Sequence, residues 1–228
     1  MTSIDFNDIR LVWGIAGKSV GLPEADIDVF RRAAGGKLPL VLEEYYRKLG
    51  GHKNNCQQDR LLEVRFADKP WNRALHPEYF TFYVECQGVC EWAFRIEDAT
   101  LENPPVWVYL DDSQWLVESP SLLDFLLTMA YYQVSWVWPY SSLQVDSAIR
   151  SITPKEMAVI REQIPLSCQP LKYWMNGQGL EIRGYNPGQA IILLSANDPT
   201  DYEMFYSAAT AVQFAELEHA LAGMGELI

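Results

Sequence analysis

The sequence predicts an α+β fold: an antiparallel meander sheet packed by N-terminal helices and a long central helix, with a smaller α+β extension at the C-terminal end. Three observations predict it. Short amphipathic segments open the chain, two of them closed by a double glycine. Four consecutive segments rich in strand formers follow, and then comes one long apolar segment with helical spacing. Apolar residues make up 49% of the 228, which supplies a core and excludes wholesale disorder.

Residues 3–17 carry Ile4, Phe6, Ile9, Val12, Trp13 and Ala16 at roughly helical spacing, with Ser3 or Asp5 available as the N-cap. A second helix opens after Pro23, buries Ile27, Phe30 and Ala34, and stops at Gly35-Gly36. A third starts at Leu38-Pro39, where a proline loses no donor, buries Leu42, Tyr45, Tyr46 and Leu49, and stops at Gly50-Gly51. After a polar loop, strands are expected at Leu61–Phe66, Tyr79–Cys86, Cys90–Ile96 and Val106–Leu110, with Gln87-Gly88 as a hairpin turn. Consecutive strands pair most economically as an antiparallel meander. Ser119-Pro120 or Ser121 launches the long helix, whose Leu122, Leu123, Phe125, Leu126, Met129 and Ala130 are apolar on more than one side.

From about Ser147 the texture changes. Thr153-Pro154-Lys155-Glu156 matches a capping box with proline at the first helical position, opening a helix to Gln163. Gly179–Tyr185 and Ala190–Ser195 bracket Asn186-Pro187-Gly188-Gln189 as a hairpin, Glu203–Tyr206 adds a strand, and a last helix runs from about Ala211 to Leu221. The expected organisation is a core domain at 1–145 and an α+β extension or subdomain at 146–228.

The net charge of -12 argues against nucleic acid or an anionic membrane as the direct partner, since phosphate contact would cost repulsion. Residues 1–14 mix Asp5, Asp8 and Arg10 with single apolar residues, unlike a signal peptide, and the Leu122–Trp138 stretch is too polar for a membrane span. A cytoplasmic location is therefore expected. Cys56, Cys86, Cys90 and Cys168 form no disulfide framework. His52 with Cys56 and Cys86 with Cys90 have metal-like spacing, but Gln87-Gly88-Val89 reads more simply as a hairpin, so no metal and no cofactor are expected. Phosphate-binding glycine motifs are absent, and His52, His76 and His219 fall in no nucleophile signature, so no catalytic residue is assigned.

Charge is unevenly distributed. Between Glu85 and Asp124 nine acids face a single base, Arg95, so this stretch carries eight of the twelve net negative charges, together with Trp92, Trp107, Tyr109 and Trp115. Acids interleaved with large aromatics suit a face that docks a basic protein. An ordinary meander with solvated acids and core aromatics would have the same composition. The expected contact residues are Glu91, Glu97, Asp98, Trp107, Tyr109, Asp111, Asp112, Trp115 and Glu118.

The order of these pieces resembles the SUKH superfamily, the domain shared by many bacterial toxin-immunity proteins and by fungal cell-wall-assembly regulators. The resemblance rests on the helix ending at Gly35-Gly36, on Leu38-Pro39 followed by Leu42, Tyr45 and Tyr46, and on Leu49-Gly50-Gly51. It continues through the Gln87-Gly88 turn and the helix carrying Ser119, Leu122, Phe125 and Leu126, covering roughly residues 20–135. It implies a non-enzymatic binding domain that neutralises a basic toxin domain, of nuclease or deaminase type. A regulatory interaction scaffold, or a hydrolase with a site between core and tail, are the other readings.

Overall fold

The computed structural model describes residues 4–15, 20–67, 76–110, 114–145, 149–174, 178–195, 200 and 202–227. The fold is α+β, and the chain divides into two compact units: residues 1–7 with 16–126, and residues 8–15 with 127–228. The division falls inside the long helix, rather than at 145/146 as expected from composition.

The first helix, α1 (Asn7–Trp13), is shorter than its apolar spacing suggested and ends at Gly14, whose φ is +65°. In the first unit, α2 (Glu24–Ala33) and α3 (Leu40–Leu49) begin directly after Pro23 and Pro39. Phe30 of α2 and Tyr46 of α3 stack with centroids 4.5 Å apart. On their outer sides Arg31 bridges Glu24, Asp28 and Glu43, and Arg47 pairs with Glu43 and Glu44. The end of α3 is tied down by Asn55, whose Nδ2 donates to Leu49 O (2.8 Å) while its Oδ1 accepts from the Tyr45 hydroxyl (2.7 Å).

The sheet of this unit runs in chain order: β1 (Arg60–Leu61), β2 (Tyr79–Val84), β3 (Glu91–Arg95), β4 (Val106–Tyr109) and β5 (Trp115–Ser119), each antiparallel to the next. The expected strand at Leu61–Phe66 is only two residues of strand, after which α4 (Val64–Ala67) takes over. Gly88, at φ +77°, makes the β2–β3 turn. One side of the sheet is a core of Phe80, Phe82, Trp92, Phe94, Val106 and Val108. Phe125, near the start of α5 (Leu122–Ser135), closes on it with ring centroids 5.7–5.8 Å from Phe82, Tyr83 and Trp92.

In the second unit, β6 (Tyr140–Ser141), α6 (Ser142–Val145), β7 (Arg150–Ile152), α7 (Pro154–Gln163), β8 (Gly179–Arg183), β9 (Gln189–Ser195), β10 (Tyr202–Ala208), α8 (Ala211–Ala220) and β11 (Glu226–Leu227) follow in turn. Its sheet has the order β11-β7-β10-β9-β8, with β6 also beside β10. Met157 and Ile160 of α7 and Phe214 and Leu217 of α8 pack with Ile191, Leu193, Met204 and Tyr206 of the sheet.

The capping box forms as the sequence indicates. The Thr153 hydroxyl accepts from Glu156 N (3.3 Å), the Glu156 carboxylate accepts from Thr153 N (2.7 Å), and its other oxygen accepts from Gly225 N (3.0 Å). Thr153→Ala is expected to lower the stability of this unit by about 1 kcal/mol, read as a lower urea midpoint at unchanged slope. An unchanged midpoint would show that α7 does not depend on its cap.

Candidate functional site

Strand register decides which side chains share a face, because directly opposed antiparallel residues point the same way. Glu91, Tyr109 and Trp115 are opposed in one row across β3, β4 and β5. Thr81, Ala93, Trp107 and Val117 form the next row, and Tyr79 with Arg95 the third. All lie on the side of the sheet opposite Phe125, which holds Trp92 and Phe94 instead.

The rings on this side form one continuous patch. Tyr79 stacks on Trp115 at 4.1 Å and meets Trp107 edge-on at 5.8 Å, and Trp115 also packs against Tyr109 at 5.2 Å. His76, just before β2, packs against Tyr109 at 4.4 Å and Trp115 at 5.4 Å. Tyr79 and Trp115 belong to strands three places apart, a separation of about 14 Å in a flat sheet. Their contact therefore requires both side chains to lean inward over β3 and β4. The residue in the middle of the face is Ala93, fully buried and small enough to let them do so.

Charged groups sit at opposite ends of this patch. The Arg95 guanidinium lies 5.7 Å from the Trp107 ring centre and pairs with Glu97 at 2.6 Å. Glu91 is half-buried and accepts a hydrogen bond from the Thr81 hydroxyl (2.9 Å). Burial raises its pKa above the ordinary carboxylate value, and the Thr81 hydrogen bond and the charge on His76 act in the opposite direction.

Of the residues expected from the sequence, the structure thus brings Glu91, Trp107, Tyr109 and Trp115 together, with Glu97 at the edge through Arg95. Asp98 is half-buried in the 3-10 turn Ile96–Thr100. Asp111 and Asp112 lie outside the described residues. Glu118 is a correction: it is only 3% exposed, sitting at an irregularity in the β4–β5 pairing between Val117, which opposes Trp107, and Ser119, which opposes Val106. The sequence reading missed Tyr79, Thr81, His76 and Arg95. The strand character of Tyr79–Val84 was visible, but a register irregularity between Thr81 and Tyr83 breaks its simple alternation.

A second cluster carries metal-ligand chemistry in its residue types. Ligand atoms of Asp59, Glu85 and Cys86 lie within 4.8 Å of one another, and both acids are 1% exposed. Their hydrogen bonds describe a hairpin lock. Glu85 accepts from Gln87 N (2.7 Å), Val89 N (3.3 Å) and the Cys86 thiol (3.1 Å), and Asp59 accepts from Cys86 N (3.4 Å). Burial and the neighbouring Glu85 push the Cys86 thiol up to about 11. Of the spaced His and Cys residues, the His52 ring caps the 3-10 turn Lys53–Cys56 by accepting from Asn54 N, and Cys90 is buried.

Comparison of the chain with family models, with curated proteins and with solved structures finds no match. Fold and face together define an α+β chain with an aromatic, carboxylate-edged sheet face, on which Trp107, Tyr109 and Trp115 are half-buried and Tyr79 is buried. No helix among the described residues is long and apolar enough to cross a membrane.

Proposed function

We propose that this chain is a non-enzymatic protein-binding module of the immunity type, which neutralises a basic toxin domain of nuclease or deaminase class by covering it. The observation that carries this reading is the continuous ring patch Tyr79–Trp115–Tyr109, joined by Trp107, on one side of a strand meander in a chain of net charge -12. The acidic chain steers a cationic partner during approach and raises the association rate. The rings then supply large, stiff contact area, which is where interface energy concentrates. The likeness of the Leu38-Pro39 to Gly50-Gly51 segment to the SUKH pattern supports the same reading, and a partner of that kind places the action in the cytoplasm.

The test is titration of the purified protein with the basic domain of a secreted toxin encoded beside it, at low and high salt. Wild-type affinity is expected to fall steeply with salt. Tyr109→Ala is expected to weaken binding by about tenfold or more while leaving the circular-dichroism spectrum unchanged. Equal affinity of the wild type and the folded variant would remove this face from the interface.

A further inference from the structure

The side of β3 that bears the aromatic patch reads Glu91, Ala93, Arg95, and its two ends use the same components. At the Arg95 end a guanidinium, an indole ring and a carboxylate come together from within the chain: Arg95 lies over Trp107 and pairs with Glu97. At the Glu91 end the carboxylate stands in register with Tyr109, which in turn opposes Trp115, and the His76 ring packs on both. Among the described residues no lysine or arginine forms an ion pair with Glu91; its hydrogen-bond donor is the Thr81 hydroxyl. His76, packed on the same two rings, is the titratable group that acts on its charge and that an incoming guanidinium would share the site with.

Resting on the docking face proposed above, we infer that Glu91, with Tyr109 and Trp115, is the receptor for one arginine side chain of the basic partner. A guanidinium suits this end better than an ammonium does. It is planar, weakly hydrated, able to stack on rings, and able to give two parallel hydrogen bonds to one carboxylate. The half-buried setting strengthens the pair, since less water screens it than at an open surface. One carboxylate accommodates one such group, and the remaining contact at this end falls to the rings.

The competing role for Glu91 is structural, holding Thr81. Glu91→Gln separates the two, because a glutamine oxygen still accepts the Thr81 hydroxyl but carries no charge. Burial raises the Glu91 pKa in the folded protein, so its contribution to stability is present at low pH and is lost as the pH rises through that raised value. At neutral pH the charge is therefore a cost, and Glu91→Gln should melt no lower than the wild type.

The experiment titrates the full chain with N-acetylarginine methylamide, with the norleucine analogue as control, following tryptophan fluorescence and the ring signals of Tyr109 and Trp115. The arginine amide is expected to bind saturably, the norleucine analogue not, and Glu91→Gln to weaken binding by about tenfold or more. Absence of saturable binding to the wild type, equal binding to Glu91→Gln, or a melting temperature of that variant far below the wild type each overturns the inference. The outcomes also separate from those of the docking face. A toxin domain that binds through Tyr109 but ignores Glu91→Gln leaves the face standing and removes the arginine site. Arginine binding that depends on Glu91 in a protein without a basic partner does the reverse.

Discussion

Gly21→Ala is expected to destabilise the first unit by about 3 kcal/mol or more, through backbone overlap and lost hydrogen bonds. Residues Val20–Leu22 run along the last turn of α3 and bond to its carbonyls. Val20 N donates to Lys48 O (3.1 Å), Leu22 N to Tyr46 O (2.9 Å), and Gly51 N returns a bond to Val20 O (2.8 Å). A Cβ on Gly21 would stand 1.7 Å from the Arg47 carbonyl oxygen, a backbone atom that no rotamer change moves aside. The same close approach explains the double glycine. Added Cβ atoms would come within 2.8 Å of Tyr46 Cα at Gly50 and within 2.9 Å of Val20 O at Gly51. Gly50 itself has an ordinary helical φ of -60°, so the pair is needed for clearance and not for a left-handed turn. Urea unfolding followed by tryptophan fluorescence reads the loss; a variant with the wild-type midpoint would mean that the 20–22 segment can lift off α3 freely.

How much of this was legible in the sequence depended on whether the signal was local. Helix starts after Pro23 and Pro39, the Gly88 turn and the Thr153–Glu156 box are read from a few adjacent residues, and each forms where the residues indicate. Leu61–Phe66 misled because a short apolar run fits strand and helix periods equally, and here the chain is strand for two residues and then turns to helix. β5 was passed over because its Trp-Leu-Val stretch ends in Glu118-Ser119 and was read within a run of acids. The candidate site was half legible for a related reason. Counting charge along Glu85–Asp124 gives a total but not a side. Side follows from the folded strands and turns, where Glu85 locks a hairpin and Glu118, at an irregularity in the β4–β5 pairing, is buried. The aromatic half of the expectation fared better, since Trp107, Tyr109 and Trp115 do share a face.

Trp92→Ala is expected to cost about 3–5 kcal/mol and to leave the first unit largely unfolded, because it empties the centre of the core. Trp92 is fully buried, 6.0 Å from the Tyr83 ring and 5.7 Å from Phe125. Its indole Nε1 is buried with no hydrogen-bond partner, so Trp92→Phe removes an unsatisfied donor along with part of the ring and should cost much less than alanine. Trp107 sits on the neighbouring strand, opposite Ala93, on the other side of the same sheet. It is half-buried, meets Tyr79 edge-on and lies under Arg95, so its truncation removes less packing and more of the patch. Trp107→Ala is accordingly expected to remain folded and to lose partner affinity, whereas Trp92→Ala loses affinity only as it loses structure. Thermal melts of both variants alongside titration of a basic partner tell the two faces apart. If Trp107→Ala melts as early as Trp92→Ala, the ring patch is a second core and the docking surface must be sought elsewhere.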